Sequence, residues 1–472
     1  ALSAGFIPIF TNLIKDHKNS KNNKSAWQLV NNIFNIVLVT VACLSVLGII
    51  FAPYLMKWIT PGFSGEKLEQ VIVLTRIMFL SPILLGISSV IGGALQSFKR
   101  FFVYSLSPIF YNIGIIIGAI YFVSIWGVYG LAWGVILGSL LHILIQIPTI
   151  FKLGFKYNLR FGWHNTAVKK IFKMMTARTL TLAINQINLL VITIIASTLV
   201  SGSLSVFNLA NNLQSFPIGI FGISFAIAVF PTLSSYAFNK KKLVYYFSKT
   251  IRQILFFIVP STVILLALRA QIVRVILGTG QFDWQDTVMT IDALAFFTLS
   301  LFAQATIPLL VRMFYARHDS KMPFYLGLVS VGTNIILSLW LSKSMGVAGL
   351  ALAFSISSML QFILLLVALH FEIGNLDEKK IIISVIKFSF AAIIAAIAIQ
   401  AMKLLIWPYA DMTKFWGVLL QGMSAGIFGT VIYLGVCSLL RSEELICFWQ
   451  SFKHRFMSKS IKTGDHGEAR GV

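Results

Sequence analysis

FNLANNLQSFPIGIFGISFAIAVFPTLSSY occupies residues 207–236. At about 1.5 Å of rise per residue it is long enough to cross the roughly 30 Å of hydrocarbon in a bilayer. Yet its front half carries Asn208, Asn211, Asn212 and Gln214, followed by Pro217, Gly219 and Gly222. At about 100° per residue, Asn208, Asn211, Asn212, Ser215, Gly219 and Gly222 share one helix face. A spanning helix with a polar, small-residue face and a proline lines either a tight helix interface or a water-filled cavity. From the residues alone both readings stand.

The chain around this stretch has the same character. Of 472 residues, 57% are hydrophobic and 11% charged, against about 25% charged in soluble domains, and the mean hydropathy is +0.86. Apolar runs of bilayer length recur at 27–51, 71–96, 103–124, 128–151, 176–200, 206–236, 244–268, 288–313, 323–342, 346–371, 381–406 and 416–440. The fold class is therefore an all-α polytopic membrane protein. Ala1 to Ile14 is apolar but too short to span alone. The net charge of +23 does not point to nucleic acid, because the basic residues sit in short loops: 15–25, around Lys99 and Arg100, 152–173, 240–252 and 312–321. The loops between these are poor in Lys and Arg, so the positive-inside rule places the basic set and the tail from Arg441 in the cytoplasm. Cys43, Cys437 and Cys447 have no CxxC spacing, and neither a metal site nor a cofactor is expected. Nucleophile elbows, GxxxxGK[ST] and HExxH are absent, so no enzyme and no ATP-driven step is expected.

An internal repeat organises the spans. TPGF ends at Phe63 and GTGQF at Phe282, an offset of 282 − 63 = 219. GVYGLA from Gly127 matches GVAGLA from Gly346, and 346 − 127 is again 219. AGFIPIF around Pro8 resembles AVFPTL around Pro231. The expected architecture is two parallel six-helix repeats plus a C-terminal helix pair. That makes fourteen helices, about thirteen of them within this sequence, with a first helix expected ahead of Ala1. The lobes are read as 1–151 and 176–371, joined by the basic connection 152–175, with the helix pair in 372–440 and a polar cytoplasmic tail in 441–472.

FYARHDSKMP, from Phe314 to Pro323, resembles the loop signature of the MurJ/MviN family of lipid II flippases, in the multidrug/oligosaccharidyl-lipid/polysaccharide exporter superfamily. SFPIGIFG (Ser215 to Gly222), FPTLS (Phe230 to Ser234), TPGF and the pair Arg100 and Phe101 support the resemblance, which runs from Ala1 to at least His370. It implies alternating access around a central cavity, with the lipid-linked disaccharide-pentapeptide precursor of peptidoglycan moved across the bacterial cytoplasmic membrane. It also implies a groove for the polyprenyl tail at the final helix pair; membrane lipids and a coupling monovalent ion are the further partners expected. The family carries an arginine where Asn212 stands and often an acid where Asn211 stands. Other superfamily activities, export of another lipid-linked oligosaccharide or of a cationic drug by ion antiport, are the alternatives, with a non-transporting membrane scaffold as a third.

A diphosphate-sugar headgroup needs cations or N–H donors in a cavity walled off from lipid. Arg178, Asn185 and Asn188 share a face of the span 176–200, with Gln186 to one side, and with Asn208, Asn211, Asn212 and Ser215 they form the candidate substrate-binding set. Arg178 alternatively snorkels to the cytoplasmic interface. Pro217, Gly219, Gly222, Arg317, Asp319 and Lys321 are candidates for hinge or gating roles. Asp292 is the candidate for ion coupling if buried, whereas His142 and His370 read as packing residues.

Overall fold

A computed structural model describes residues 6–7, 9–11, 13, 24–159, 161–162, 165–278, 280, 282–446 and 449. Among them the regular secondary structure is entirely helical. Nine helices are long and apolar enough to cross a membrane, or ten if two helices bent by 46° form one span. The chain falls into two compact units, residues 1–198 and 199–472.

The first unit contains α1 (Lys24–Ile59), α2 (Gly65–Met78), α3 (Ser81–Ser97), α4 (Phe101–Ile117), α5 (Tyr129–Leu144) and α6 (Thr166–Ser197). Leu29, Val30, Ile33 and Ile36 form one buried stripe of α1 and pack with Phe6, Phe10, Ile91 and Leu95, the spacing expected of one helix face. Rings close the same end: Trp27 lies 5.4 Å from Phe98 and 5.7 Å from Phe155 between centroids. Small residues bring α4 and α5 together, since a Cβ on Gly114 would lie 2.3 Å from the Gly138 backbone. Such close approach is what packs helices in lipid, where the hydrophobic effect no longer favours association.

Part of the basic connection is pinned rather than solvated. Asn31 Nδ2 donates to the Lys156 carbonyl at 3.0 Å, its Oδ1 accepts from Asn158 N at 2.7 Å, and Asn35 Nδ2 donates to the Asn158 carbonyl at 2.9 Å. α6 falls within the first compact unit. Ser197 Oγ at its end accepts from Gly62 N of the TPGF turn at 3.4 Å.

The second unit contains α7 (Ser203–Pro217), α8 (Ser224–Ser235), α9 (Lys240–Ala267), α10 (Arg269–Leu277), α11 (Trp284–Leu299), α12 (Leu301–Ala316), α13 (Lys321–Ile373), α14 (Glu378–Ile406) and α15 (Phe415–Leu439). Its core runs from Leu243, Phe247 and Ile251 of α9 through Leu309 and Phe314 of α12 to Phe388 and Ala391 of α14. α11 and α12 are the pair bent by 46°. α13 holds the two spans expected at 323–342 and 346–371, continuous except for Gly346.

The repeat is visible in backbone geometry. Gly127 has φ 55 and ψ −140, and Gly346 has φ 57 and ψ −131, a region that only glycine occupies without strain. Lys99 (φ 59) and His318 (φ 64) are both left-handed, and 318 − 99 = 219. Ser64 and Asp283, 283 − 64 = 219 apart, are the N-caps of α2 and α11. Two sequences that differ at most positions thus break their helices at the same register.

Candidate substrate-handling site

The amide face of α7 divides in two. Asn208, Asn212 and Ser215, spaced i, i+4 and i+7, are exposed, whereas Asn211 is half-buried and Gln214 fully buried. Gln214 Nε2 donates to Asn211 Oδ1 at 3.0 Å, and Gln304 Nε2 of α12 donates to Gln214 Oε1 at 2.9 Å. The chain continues through Ser300, which accepts from Gln304 at 2.8 Å and donates to Ser355 at 2.9 Å, and ends where Ser355 donates to the Phe296 carbonyl at 2.7 Å. Part of this face is therefore a helix interface. Asn211 and Gln214 link α7 to α12, whereas Asn208, Asn212 and Ser215 are exposed, with Ser215 Oγ donating to the Asn211 carbonyl at 2.7 Å.

Pro217 ends the regular helix because it has no N–H to donate and its ring crowds the preceding turn. The next six residues, Ile218–Ile223, form a π-helical turn, the kind of local widening that accompanies kinks and functional sites. Ser224 Oγ donates to the Gly219 carbonyl at 2.9 Å, satisfying an acceptor that the altered ladder exposes. Gly222 is a contact glycine: a Cβ there would lie 2.6 Å from the Ala305 carbonyl oxygen of α12. Gly219 has nothing within 4 Å of the same position, so space does not require its lack of a side chain.

On α6, Gln186 is exposed and Asn188 half-buried. Arg178 and Asn185 lie on that helix, but their side chains fall outside the described residues. Asp292 is exposed on α11 rather than buried. A cation not singled out from the sequence lies further along: Arg312 of α12 is half-buried, and its Nη1 donates to the Pro308 carbonyl at 3.0 Å. Its place next to the loop 312–321 had grouped it with the cytoplasmic positive charge, which hid its position a turn inside the span.

The loop signature resolves into separate jobs. Arg317 Nε pairs with Glu372 Oε1 at 2.6 Å, clipping the end of α12 to the end of α13. Asp319 Oδ1 accepts from Lys321 N at 2.8 Å and Met322 N at 3.2 Å, capping the start of α13. Lys321 is exposed. His370, read as a packing residue, bonds Glu378 Oε1 through Nδ1 at 2.7 Å. His142 bonds Ser88 Oγ through Nδ1 at 2.7 Å, and Gln146 Nε2 donates to the same hydroxyl at 2.7 Å.

Two apolar grooves open along the second unit. One, of about 600 Å³, lies among α9, α12, α13 and α14, lined by residues including Leu255, Phe302, Phe362 and Ile393, with Glu378 also on its wall. The other, of about 490 Å³, lies between α10 and α15 and includes Gln271. Beside the first groove, the residues after α15 are clamped to the bundle. Arg252 pairs with Glu444 and, at 3.2 Å, with Glu443, while Ser384 and Ser442 donate to Glu444 at 3.0 and 2.8 Å.

A family model for the lipid II flippase MurJ matches residues 1–419. The chain belongs to the MurJ lipid II flippase family. Among relatives in the family, a probable lipid II flippase MurJ of Buchnera aphidicola subsp. Acyrthosiphon pisum is 31% identical over 423 residues, covering 88% of this chain and 80% of the relative. One of Vibrio cholerae is 27% identical over 456 residues, covering 93% and 84%. In three dimensions the chain resembles a lipid II flippase MurJ solved in an inward closed conformation, with TM-score 0.74 at 23% identity, covering 96% of this chain and 90% of that one. An inward-facing multidrug resistance MATE family transporter of the MOP superfamily gives TM-score 0.65 at 17% identity, covering 80% and 88%. The MurJ fold and its multi-pass membrane character are thus shared by this chain.

Proposed function

We propose that this protein moves the lipid-linked disaccharide-pentapeptide precursor of peptidoglycan across the bacterial cytoplasmic membrane. The observation that carries the reading is the family match over residues 1–419. No bond is made or broken; the work is done by alternating exposure of the headgroup to the two sides, a change between packed arrangements of helices.

In this reading Asn208, Asn212 and Ser215, with Gln186 and Asn188, offer hydrogen bonds to sugar hydroxyls and peptide groups. Arg178 and Arg312 are the cations assigned to the diphosphate. The groove beside Leu255, Phe302 and Ile393 takes the polyprenyl tail, because an isoprenoid needs an apolar wall and little else. The π-turn after Pro217 and the Arg317–Glu372 clip are the points at which α7, α12 and α13 yield during the cycle. The segment from Arg441 lies in the cytoplasm with the basic loops.

The test is replacement of the resident flippase in a bacterium depleted of it, read by viability and by surface-accessible precursor. Rescue is expected. Correct membrane insertion without rescue would sink the proposal. Within a rescuing background, Arg178→Ala and Arg312→Ala are each expected to slow precursor exposure, and loss in neither variant removes both from the diphosphate site.

A further inference from the structure

The two copies of one turn differ in a way that leaves a vacancy of charge in the first. In the second unit, His318 adopts a left-handed backbone, Asp319 N donates to the Phe314 carbonyl at 3.0 Å, and the Asp319 carboxylate caps α13. In the first unit, Lys99 adopts the same backbone and Arg100 N donates to the Leu95 carbonyl at 2.9 Å. There Arg100 stands where Asp319 stands, 319 − 100 = 219 residues apart, and among the described residues no side chain caps α4.

Beside Arg100 is a cavity of about 430 Å³, lined by residues including Lys99, Arg100, Lys152, Thr149, Phe101 and Phe102. Three cations and a hydroxyl face it, and no carboxylate lines it. Among the described residues, Lys99, Arg100 and Lys152 have no ion-pair partner. Residues 1–198 contain sixteen Lys and Arg but only Asp16, Glu66 and Glu69, a balance of 16 − 3 = +13. Asp16 lies outside the described residues, and Glu66 and Glu69 belong to α2. Phe101 and Phe102 are 56% and 76% exposed at the start of a spanning helix, where an aromatic ring sits against lipid at the interface.

We propose that this cavity binds the phosphodiester of an anionic phospholipid, which supplies to the first unit the negative charge that Asp319 supplies to the second. Arg100 and the two lysines pair with the phosphate oxygens, Thr149 donates a further hydrogen bond, and Phe101 and Phe102 lie along the acyl chains. The phosphate chemistry alone would also suit inorganic phosphate; the exposed rings favour the lipid. The site is independent of the transport reading, because it is tested by binding alone.

The experiment uses the full chain in neutral detergent, with thermal melts and native mass spectrometry in the presence of phosphatidylglycerol or phosphatidylcholine. Phosphatidylglycerol is expected to raise the melting temperature and to bind at least tenfold more tightly than phosphatidylcholine. The variant Lys99→Gln/Arg100→Gln/Lys152→Gln is expected to lose that preference. Lys169→Gln/Lys170→Gln/Lys173→Gln removes equal charge from exposed positions of α6 and is expected to keep it. Equal loss in both variants means diffuse attraction to a basic surface and overturns the site, as does wild-type binding in the first. Displacement of phosphatidylglycerol by an equal concentration of inorganic phosphate overturns the lipid assignment. Arg100→Asp restores the second unit's carboxylate. It is expected to melt at or above wild type without lipid and to show no rise with phosphatidylglycerol, and a wild-type rise would overturn the proposal.

Discussion

Gln304 donates to Gln214 across 2.9 Å, joining α12 to α7 three residues before Pro217. That bond turns part of a polar helix face into a structural joint. Replacing Gln304 with Leu leaves a buried amide oxygen without its donor, a loss of about 1–3 kcal/mol. Gln304→Leu is therefore expected to lower the melting temperature in detergent clearly. Asn212→Ala, at an exposed position of the same helix, is expected to leave it almost unchanged. Equal effects in the two variants would show that the face is not divided as described.

Arg252 is the cation of a buried pair, its side chain 8% exposed against 4% for Glu444. Removing one partner of such a pair costs about 3–5 kcal/mol, because the other charge stays buried and unpaired. Arg252→Ala should accordingly destabilise more than Arg252→Ala/Glu444→Gln, and a thermodynamic cycle of melts checks the order.

Glu443 shares that cation from outside the membrane span. The hydrogen bond from Arg252 comes first, and against some desolvation it and the charge of Lys380 hold the carboxyl below the ordinary glutamate value of 4.5. A carboxylate depressed in the folded state stabilises fully above the unfolded value and loses that contribution as pH falls through the folded one. Wild type should thus lose melting temperature below about pH 4.5 somewhat faster than Glu443→Gln, with the two curves parallel at neutral pH. Glu443 is 62% exposed, so solvent screening keeps the difference small.

Gly346 sits at φ 57 and ψ −131 between the two halves of α13. An alanine there meets open space but a forbidden backbone, at a cost of about 1–3 kcal/mol. Gly346→Ala and Gly127→Ala are expected to destabilise comparably, because the two breaks share one geometry. Gly332→Ala, also in open space but within regular helix, is expected to be neutral or mildly stabilising.

Much of this was legible before any coordinates. Helix positions follow from apolar run length, and the repeat from three matched segments, because both are one-dimensional properties of the chain. The Asp319 cap was within reach too, since an acid just ahead of a helix start is a local signal. Less legible was the partner of each polar side chain. Gln214 and Gln304 are 90 residues apart, and Arg252 and Glu444 are 192 apart; no spacing rule connects them. Arg312 was missed because a half-buried cation within a span and a loop cation look alike in a string of letters.

For the opening stretch, sequence alone determined that residues 207–236 would be a spanning helix broken near Pro217 with one polar face, since periodicity and the missing proline N–H are local facts. Tertiary structure alone decided which amides on that face bind protein and which stay open. That choice depends on whether another helix brings a donor within about 3 Å. For Gln214 the side chain of Gln304 does so; Asn208, Asn212 and Ser215 remain exposed.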